Sequence, residues 1–179
     1  TGYTHVEFHP VMEYLDQRSG GYSTSAYYSV TNRFGTADDL RALVEELHMA
    51  GIGVLLDWAL AQFPRFDAGL EKFDGTPLYE VQNPAMAVHP MWGTMLFNYG
   101  SPMVRDFLLS NAFFWLDEFH VDGFRLDAVK EYVTGSTEDN VEILSWFADY
   151  VHGKDPENYL VCECWTDQNT YAKYYESGV

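Results

Sequence analysis

The chain has 179 residues and carries 10 lysines and arginines against 27 aspartates and glutamates, a formal net charge of −17. This charge excludes binding to nucleic acid through bulk charge, because such a surface needs clustered basic residues. The composition, 47% apolar and 21% charged, is typical of one globular domain, and the apolar runs are far shorter than the roughly 20 residues that span a bilayer. We therefore expect neither nucleic acid nor a membrane as a partner.

The cysteines and the first residues of the chain indicate which cellular compartment and which cofactors to expect. Cys162 and Cys164 are separated by one residue, a spacing that suits neither a disulfide nor a complete metal site. The sequence opens on Thr1 without the basic and apolar segments of a secretory leader, and it has no glycine-rich phosphate loop. We expect reduced thiols, a cytoplasmic location, and neither a metal nor a cofactor.

Four short strand-like runs alternate with four segments of helical periodicity. In chain order the sequence predicts a strand at 3–8, a helix at 36–50, a strand at 51–58, a helix from 101, a strand at 121–126, a helix at 137–152, a strand at 159–163 and a helix at 170–176. Thr36 suits the cap of the first helix, and Pro102 suits the first turn of the second. This alternation predicts an α/β fold with a parallel sheet.

An acidic residue ends each of three successive predicted strands: Asp57, Asp127 and Glu163. In parallel sheets and β/α barrels, chemistry gathers at the carboxyl ends of the strands. One such acid is often only a helix cap or a turn residue. Three in succession favour a functional site.

Two of these acids fit a pair of catalytic carboxyl groups. Strand alternation sends Arg125 and Asp127 to one face of their strand and places Glu163 on the face opposite its neighbouring cysteines. Adjacent strands lie about 4.8 Å apart, which suits the roughly 5–5.5 Å between the carboxyl groups of retaining glycosidases. We expect Arg125 to keep Asp127 ionised as a nucleophile, and Glu163, beside Trp165, to have the raised pKa of a proton donor.

Two other interpretations of the acids stay open on these residues. Arg125 and Asp127 can form a purely structural ion pair. The strand-end acids can also bind a hard cation such as Mg²⁺ in an unrelated α/β protein, although Arg125 would repel a metal at that position.

Two connections, 10–35 and 59–100, are long and lack periodicity, which is typical of segments that bind or cover a ligand. The second is rich in aromatic residues, and rings above acidic strand ends suit a sugar, which has flat apolar faces and polar edges. A loop that packs only on itself is the alternative.

Three stretches around the acids resemble the signature regions of the α-amylase superfamily of glycoside hydrolases, which lie at the ends of its third, fourth and fifth barrel strands. They are 57–63, 123–129 and 161–165. Within that superfamily, five further stretches resemble glycogen (1,4-α-glucan) branching enzymes: 33–36, 50–58, 73–79, 92–99 and 115–128. The sequence after Glu163, at 165–167 and 174–178, is more similar to hydrolytic α-amylases.

The resemblance implies a partial (β/α)8 TIM barrel with about strands two to five and their helices. Residues 1–179 would form this one partial catalytic domain, with 59–100 as a long βα loop that resembles a short B-domain insertion. The resemblance implies Asp127 as the nucleophile and Glu163 as the acid/base. The substrate contacts that it implies are Arg125, Asp57, Tyr22, Gln62 and Trp92.

The sequence departs from the family pattern in two places. Gln62 occupies the position of a sugar-binding histidine, and an amide can donate a hydrogen bond but cannot carry charge. A third catalytic carboxylate, expected from a His-Asp pair after the seventh barrel strand, has no counterpart in the sequence. Because half a barrel leaves open parallel edges, we expect the chain to be part of something larger.

The leading hypothesis is a retaining glycoside hydrolase or transglycosylase of α-1,4-glucans that forms branches by double displacement. Glycogen, starch or a maltooligosaccharide would be its partner, together with the remainder of the barrel. A hydrolytic α-amylase is one alternative. A catalytically silent glucan-binding or scaffold chain is another.

Overall fold

Parallel strands and the helices that follow them make up most of the structure, a computed structural model that describes residues 2–66 and 69–179. In chain order the elements are β1 (His5–Phe8), β2 (Met12–Tyr14), β3 (Thr24–Val30), α1 (Ala37–Met49), β4 (Gly53–Trp58), β5 (Gln62–Phe63), β6 (Met95–Leu96), α2 (Pro102–Phe119), β7 (Gly123–Leu126), α3 (Thr137–Lys154), β8 (Tyr159–Cys162) and α4 (Gln168–Tyr175). Short 3-10 turns lie at Gln17–Ser19 and Val129–Glu131.

The central sheet has the strand order β1-β4-β7-β8, and every neighbouring pair is parallel. Along the chain, a helix separates each strand of this sheet from its neighbour in the sheet, as in a β/α barrel. The four strands predicted from the sequence are confirmed, although three of them begin two residues later than expected. This is the partial barrel that the sequence predicts.

The helices α1 and α3 begin within one residue of the predicted positions, and side chains cap their first turns, whereas α4 begins two residues earlier than predicted. Thr36 and Asp39 form a reciprocal capping box at the start of α1, and Ser136 accepts from the third residue of α3. Each helix packs on the next one along the chain, α1 on α2, α2 on α3 and α3 on α4. Within the two described ranges, no helix combines the length and apolarity that crossing a membrane requires.

The apolar core lies between the sheet and these helices. Trp58 on β4 and Phe124 on β7 are fully buried with their ring centroids 5.0 Å apart, and both pack on Phe147 of α3. Strand alternation therefore sends these rings toward the helices and leaves their polar neighbours Asp57 and Arg125 on the opposite face of the sheet.

The two long connections contain regular structure that the sequence analysis missed. In the first, β3 pairs antiparallel with β2, and two register shifts interrupt that pairing. In the second, β5 pairs with β6 across more than thirty residues. These strands are short or interrupted by register shifts, so they give no periodic signal in the sequence. Residues 67 and 68 of the predicted loop, and residue 1 of the predicted domain, lie outside the described residues.

Gly123 allows β7 and β8 to approach one another closely. A Cβ atom at this position would lie 1.8 Å from the carbonyl oxygen of Tyr159, and the φ angle of Gly123 is +155°. No side chain fits such a contact. The absence of a side chain at Gly123 therefore allows close contact between the two strands that carry Asp127 and Glu163 at their ends.

Candidate active site

Four of the predicted site residues, Asp57, Arg125, Asp127 and Glu163, meet at the carboxyl edge of the central sheet. Asp57 on β4 lies directly opposite Arg125 on β7 in the strand register. Asp127 follows β7, and Glu163 follows β8, whose last residue pairs with Leu126. The backbone N–H of Asp127 donates to Trp58 and that of Glu163 to Leu126, at 3.2 and 2.9 Å, so the ladder continues through both acids.

One guanidinium binds all three carboxylates. The Nη1 atom of Arg125 lies 2.6 and 2.7 Å from the two carboxylate oxygens of Asp57, and 3.2 Å from Oδ1 of Asp127. Its Nη2 atom lies 3.2 Å from Oε1 of Glu163. We call Arg125 with these three acids the Arg125 cluster. Burial acts to lower the pKa of Arg125, but the adjacent carboxylates outweigh it, so the guanidinium stays charged.

The preferred partner of Arg125 differs from the one expected. The sequence analysis pairs Arg125 with Asp127, two residues away on the same strand, and that contact exists. The shorter contact is with Asp57 on the neighbouring strand, where Nη1 of Arg125 lies close to both carboxylate oxygens. The side chain of Asp57 is 2% exposed. The guanidinium therefore mainly compensates the most deeply buried acid.

Tyr22, between β2 and β3, contacts the Arg125 cluster. Its hydroxyl donates a hydrogen bond to Oδ2 of Asp57, and its ring lies edge-on to His9 with centroids 5.9 Å apart. Burial, and then the hydrogen bond to Asp57 and the negative charge of that residue, raise the pKa of Tyr22. The phenol therefore remains a hydrogen-bond donor at neutral pH.

The pKa pattern of the acid pair is the reverse of the expected one. Burial, followed by the charges of Asp57 and Glu163, raises the pKa of Asp127 to about 7. Burial also acts to raise the pKa of Glu163, but hydrogen bonds from Trp165 and Ala128 and the charge of Arg125 outweigh it and lower that pKa. The two acids share one guanidinium, because Oδ1 of Asp127 and Oε1 of Glu163 each lie 3.2 Å from a nitrogen atom of Arg125. The opposite pKa shifts mean that Asp127 binds a proton more readily than Glu163 does.

The sequence analysis missed two hydrogen-bond donors to Glu163. The indole Nε1 of Trp165 donates to Oε1 at 2.7 Å, and the backbone N–H of Ala128 donates to Oε2 at 3.2 Å. Trp165 therefore lowers the pKa of Glu163 and does not raise it, which corrects the expectation from the sequence. Ala128 adopts a left-handed conformation with a φ of +48°. No feature of the sequence signals either contact, although Trp165 stands out as an aromatic neighbour of Glu163.

Gln62 and Trp92, the other two predicted contacts, lie in the connection between β4 and α2. Gln62 is buried, and its Oε1 accepts a hydrogen bond from the hydroxyl of Thr94. The ring of Trp92 stacks on His89, whose Nε2 lies 3.2 Å from Oε2 of Glu131. Among residues 2–66 and 69–179, neither Gln62 nor Trp92 makes a hydrogen bond to the Arg125 cluster.

The cysteines and the acidic groups provide no metal site. Cys162 and Cys164 are free and half-buried, and both pack against the core. In the part of the chain that the structure describes, no group of three or more histidine, cysteine, aspartate or glutamate side chains could hold a metal ion. Arg125 itself occupies the space between the three acids that a cation would need.

The sheet edge places two carboxyl groups with opposite pKa shifts at the ends of neighbouring strands. A retaining glycosidase uses one carboxyl group as a proton donor and the other as a nucleophile, roughly 5–5.5 Å apart, whereas an inverting enzyme needs a wider gap that admits water. Acids at the ends of adjacent strands, about 4.8 Å apart, fit the closer spacing.

These features define a barrel enzyme with a paired-carboxylate site. The family model described as the alpha amylase catalytic domain matches residues 2–61 and 93–179, and the chain belongs to this family. The unmatched residues 62–92 lie in the connection between β4 and α2.

Two relatives that are similar to the chain in sequence share the name 1,4-alpha-glucan branching enzyme. The chain is 56% identical over 128 residues to the 1,4-alpha-glucan branching enzyme GlgB of Thermobifida fusca, an alignment that covers 72% of the chain and 17% of that enzyme. It is 47% identical over 156 residues to GlgB 2 of Streptomyces avermitilis, covering 86% of the chain and 26% of that enzyme. The chain thus spans 17% to 26% of the length of these relatives.

Two solved structures share the fold. Amy13B of Eubacterium rectale superimposes with a TM-score of 0.84 at 25% identity and covers 99% of this chain and 40% of its own. The alpha-amylase of Geobacillus thermoleovorans, solved with acarbose, gives a TM-score of 0.80 at 23% identity, with the same two coverages of 99% and 40%. The second likeness shows the fold alone.

Proposed function

We propose that the chain forms part of the active site of a 1,4-α-glucan branching enzyme, which cleaves an α-1,4 bond and transfers the released segment to a 6-hydroxyl. The observation that carries the proposal is the pair Asp127 and Glu163, whose carboxylates both lie 3.2 Å from the guanidinium of Arg125. The family and the branching-enzyme relatives supply the substrate class. Glycogen, starch and maltooligosaccharides are therefore the proposed partners, and a cytoplasmic location remains a prediction.

The reaction divides into two displacements. Glu163 donates its proton to the glycosidic oxygen while a carboxylate oxygen of Asp127 attacks the anomeric carbon, so the glycosidic bond breaks and a glycosyl ester forms. Glu163, now ionised, takes the proton from an acceptor hydroxyl that attacks the ester and releases Asp127. The first step needs a protonated Glu163 and an ionised Asp127. The second step needs an ionised Glu163 and begins from the ester on Asp127.

The reactive state requires a protonated Glu163 and an ionised Asp127, the reverse of the order of their pKa values. Positive charge that develops at the anomeric carbon next to Asp127 favours the ionised form of Asp127. Asp57 supports this arrangement because it binds the guanidinium of Arg125, and Tyr22 donates a hydrogen bond to Asp57.

Hydrolysis is the second candidate, because water can replace the acceptor hydroxyl in the same site. The structural likeness to Amy13B, with a TM-score of 0.84, favours this candidate. A silent glucan-binding chain is the third, and Gln62, an uncharged residue at the position of the family histidine, favours it.

Product analysis separates the three candidates. The protein in its full natural length is incubated with amylose, with Asp127→Asn as the inactive control, and new α-1,6 linkages and reducing ends are both measured. Branching predicts new α-1,6 linkages with an unchanged number of reducing ends. New reducing ends without α-1,6 linkages would establish hydrolysis. Bound glucan without either product would establish the silent chain.

A further inference from the structure

A buried asparagine on α3 binds the segment that follows the proposed nucleophile. Asn140 is 1% exposed, and its Oδ1 accepts a hydrogen bond from the backbone N–H of Val133 at 2.7 Å. Its Nδ2 donates to the carbonyl oxygen of Lys130 at 2.8 Å. The carbonyl oxygen of Val133 and the hydroxyl of Tyr174 each lie 3.2 Å from the same nitrogen atom. One amide side chain therefore holds both ends of residues 130–133.

The same segment carries a backbone donor to Glu163. The N–H of Ala128 lies 3.2 Å from Oε2 of Glu163, and the N–H of Val129 donates to the carbonyl oxygen of Glu163, also at 3.2 Å. A short 3-10 turn then leads directly to the residues that Asn140 binds. Glu163 and Asn140 thus contact opposite ends of the segment 128–133.

Ala128 adopts a backbone conformation that a short segment would not keep on its own. Its φ and ψ angles are +48° and +45°, in the left-handed region, where the Cβ atom comes too close to the following carbonyl oxygen. Such a residue persists only where the surrounding contacts determine its conformation. Here the conformation directs the N–H of Ala128 at the carboxylate of Glu163. Loss of the bonds to Asn140 would let Ala128 relax and turn this N–H away.

Helix formation alone does not explain Asn140. Asparagine is a weaker helix former than alanine or leucine, and a buried amide is costly unless it is hydrogen-bonded. The contacts that satisfy this amide lie outside α3, in the segment 128–133 and at Tyr174 on α4. Asn140 therefore fixes that segment against the helix, and the segment contacts Glu163.

We infer that Asn140 is a positioning residue for the proposed acid/base: by holding residues 130–133, it keeps the backbone N–H of Ala128 directed at the carboxylate of Glu163. The inference rests on the proposed function, which gives Glu163 its role. The bond from Ala128 stabilises the ionised form of Glu163, which is the form that takes the proton from the acceptor hydroxyl in the second displacement.

The ionisation of Glu163 tests the inference. The indole Nε1 of Trp165 donates to Oε1 of Glu163 at 2.7 Å, so a fluorotryptophan label at Trp165 senses the charge of that carboxylate. Fluorine NMR spectra are recorded against pH on the protein in its full natural length, in the Asp127→Asn background so that only one acid of the pair titrates. Trp165→Phe assigns the signal, and Glu163→Gln should remove its transition. The charges of Arg125 and Asp57 are the same in every variant compared.

Two buried asparagines provide a matched comparison. Asn140→Leu keeps the branched shape of the side chain and removes its polar atoms, so the backbone donor to Glu163 should turn away and the titration midpoint should move to higher pH. Asn111→Leu is the control, because Asn111 is an equally buried asparagine on α2 that binds Trp58 and Tyr27, and its midpoint should equal that of the parent. A loss of thermal stability in Asn140→Leu with an unmoved midpoint would show a merely structural role and overturn the inference.

A smaller change covers the case in which Asn140→Leu does not fold. Asn140→Ser is then compared with Asn111→Ser. A serine hydroxyl has one proton and a shorter reach, so it cannot replace both the bond to Lys130 and the bond from Val133. A midpoint above that of Asn111→Ser supports the positioning role, and equal midpoints contradict it.

Activity on amylose, measured in parallel with native Asp127, separates this inference from the proposed function. Asn140→Leu should lower kcat for branching about tenfold, because a displaced catalytic group loses its alignment with the substrate. Branching by the parent, combined with equal midpoints of Asn140→Leu and Asn111→Leu, would overturn the positioning role alone. Absence of turnover in the parent, combined with a raised midpoint in Asn140→Leu, would overturn the branching activity and leave the positioning of the Glu163 carboxylate in place.

Discussion

The carboxyl edge of the sheet and the connection between β4 and α2 position their side chains by different means. At the sheet edge, strand register places Asp57 opposite Arg125, and the backbone ladder extends through Asp127 and Glu163. In the connection, side chains hold one another, as His89 holds Trp92. The acids proposed to act in catalysis thus lie at the ends of sheet strands, and Trp92, a substrate contact that the family resemblance implies, belongs to a loop, where length and sequence can change without moving the acids.

Substitution of the proposed nucleophile should have the largest effect. Asp127→Asn keeps the shape of the side chain but cannot form the glycosyl ester, so we expect kcat on amylose to fall roughly 10⁴-fold or more. Glucan binding should persist, because the loop contacts remain. The measurement is kcat together with maltoheptaose affinity. Retained turnover would contradict the assignment of Asp127.

Removal of the guanidinium should have the next largest effect, on stability. Arg125→Leu leaves three adjacent carboxylates without compensation, so we expect the free energy of unfolding to fall by about 3–5 kcal/mol. Arg41→Leu, which removes a more exposed ion pair to Asp38, should cost at most about 1 kcal/mol. Urea denaturation of both variants measures the difference. Equal losses would show that the Arg125 cluster is no more strongly coupled than a surface pair.

A glycine substitution tests the sheet itself. Gly123→Ala places a Cβ atom 1.8 Å from the carbonyl oxygen of Tyr159, so β7 and β8 must separate, and we expect a loss of about 3 kcal/mol or more. Gly153→Ala is the matched control, because no atom lies within 4 Å of its added Cβ. In helix α3 that change should stabilise the protein by about 0.5–1 kcal/mol. A Gly123→Ala protein with wild-type stability and activity would contradict the close approach of these strands.

The remaining expected effect is the pH dependence of stability from Asp127. Its pKa is raised to about 7 in the folded chain, whereas an unfolded aspartate loses its proton near pH 4. Between these values the unfolded state binds fewer protons, so stability falls as the pH rises. This difference in pKa corresponds to up to about 4 kcal/mol, so Asp127→Asn should raise the melting temperature at pH 7.5 by roughly 10 °C and change it little at pH 4.

Asp149→Asn serves as the control for this comparison, because Asp149 is an exposed acid on α3 and its substitution removes the same formal charge. The melting temperature of this variant should follow that of the parent at both pH values. An equal gain in both variants at pH 7.5 would assign the effect to net charge, and the raised pKa of Asp127 would then be wrong.

The sequence predicts the sheet edge well because the relevant information is local. Alternation within one strand places Arg125 and Asp127 on a common face, and the order of strands and helices makes β7 and β8 neighbours. The contact of Arg125 with Asp57 depends on the register between β4 and β7, two segments far apart in the sequence. The alternation of residues within one strand carries no information about that register. The pKa reversal follows from such contacts too, since Trp165 and the left-handed Ala128 donate to Glu163.

The connections are harder to predict for a related reason. The pairing of β3 with β2 has two register shifts, which break the regular alternation that marks a strand. The strands β5 and β6 have two residues each, too few for any periodic signal. The bond between His89 and Glu131 joins residues 42 positions apart. The aromatic content of the connection is evident in the sequence, but the residue that orients Trp92 is not.

The most direct test of the account is to identify the residue that forms the glycosyl ester. The protein in its full natural length is treated with an activated α-glucosyl fluoride that turns over slowly, in a Glu163→Gln background so that the ester accumulates, and is then digested and analysed by peptide mass spectrometry. The account predicts one glucosyl adduct, on the peptide that contains Asp127 and at that residue. An adduct at another carboxylate, or turnover of the fluoride without any adduct, would contradict it.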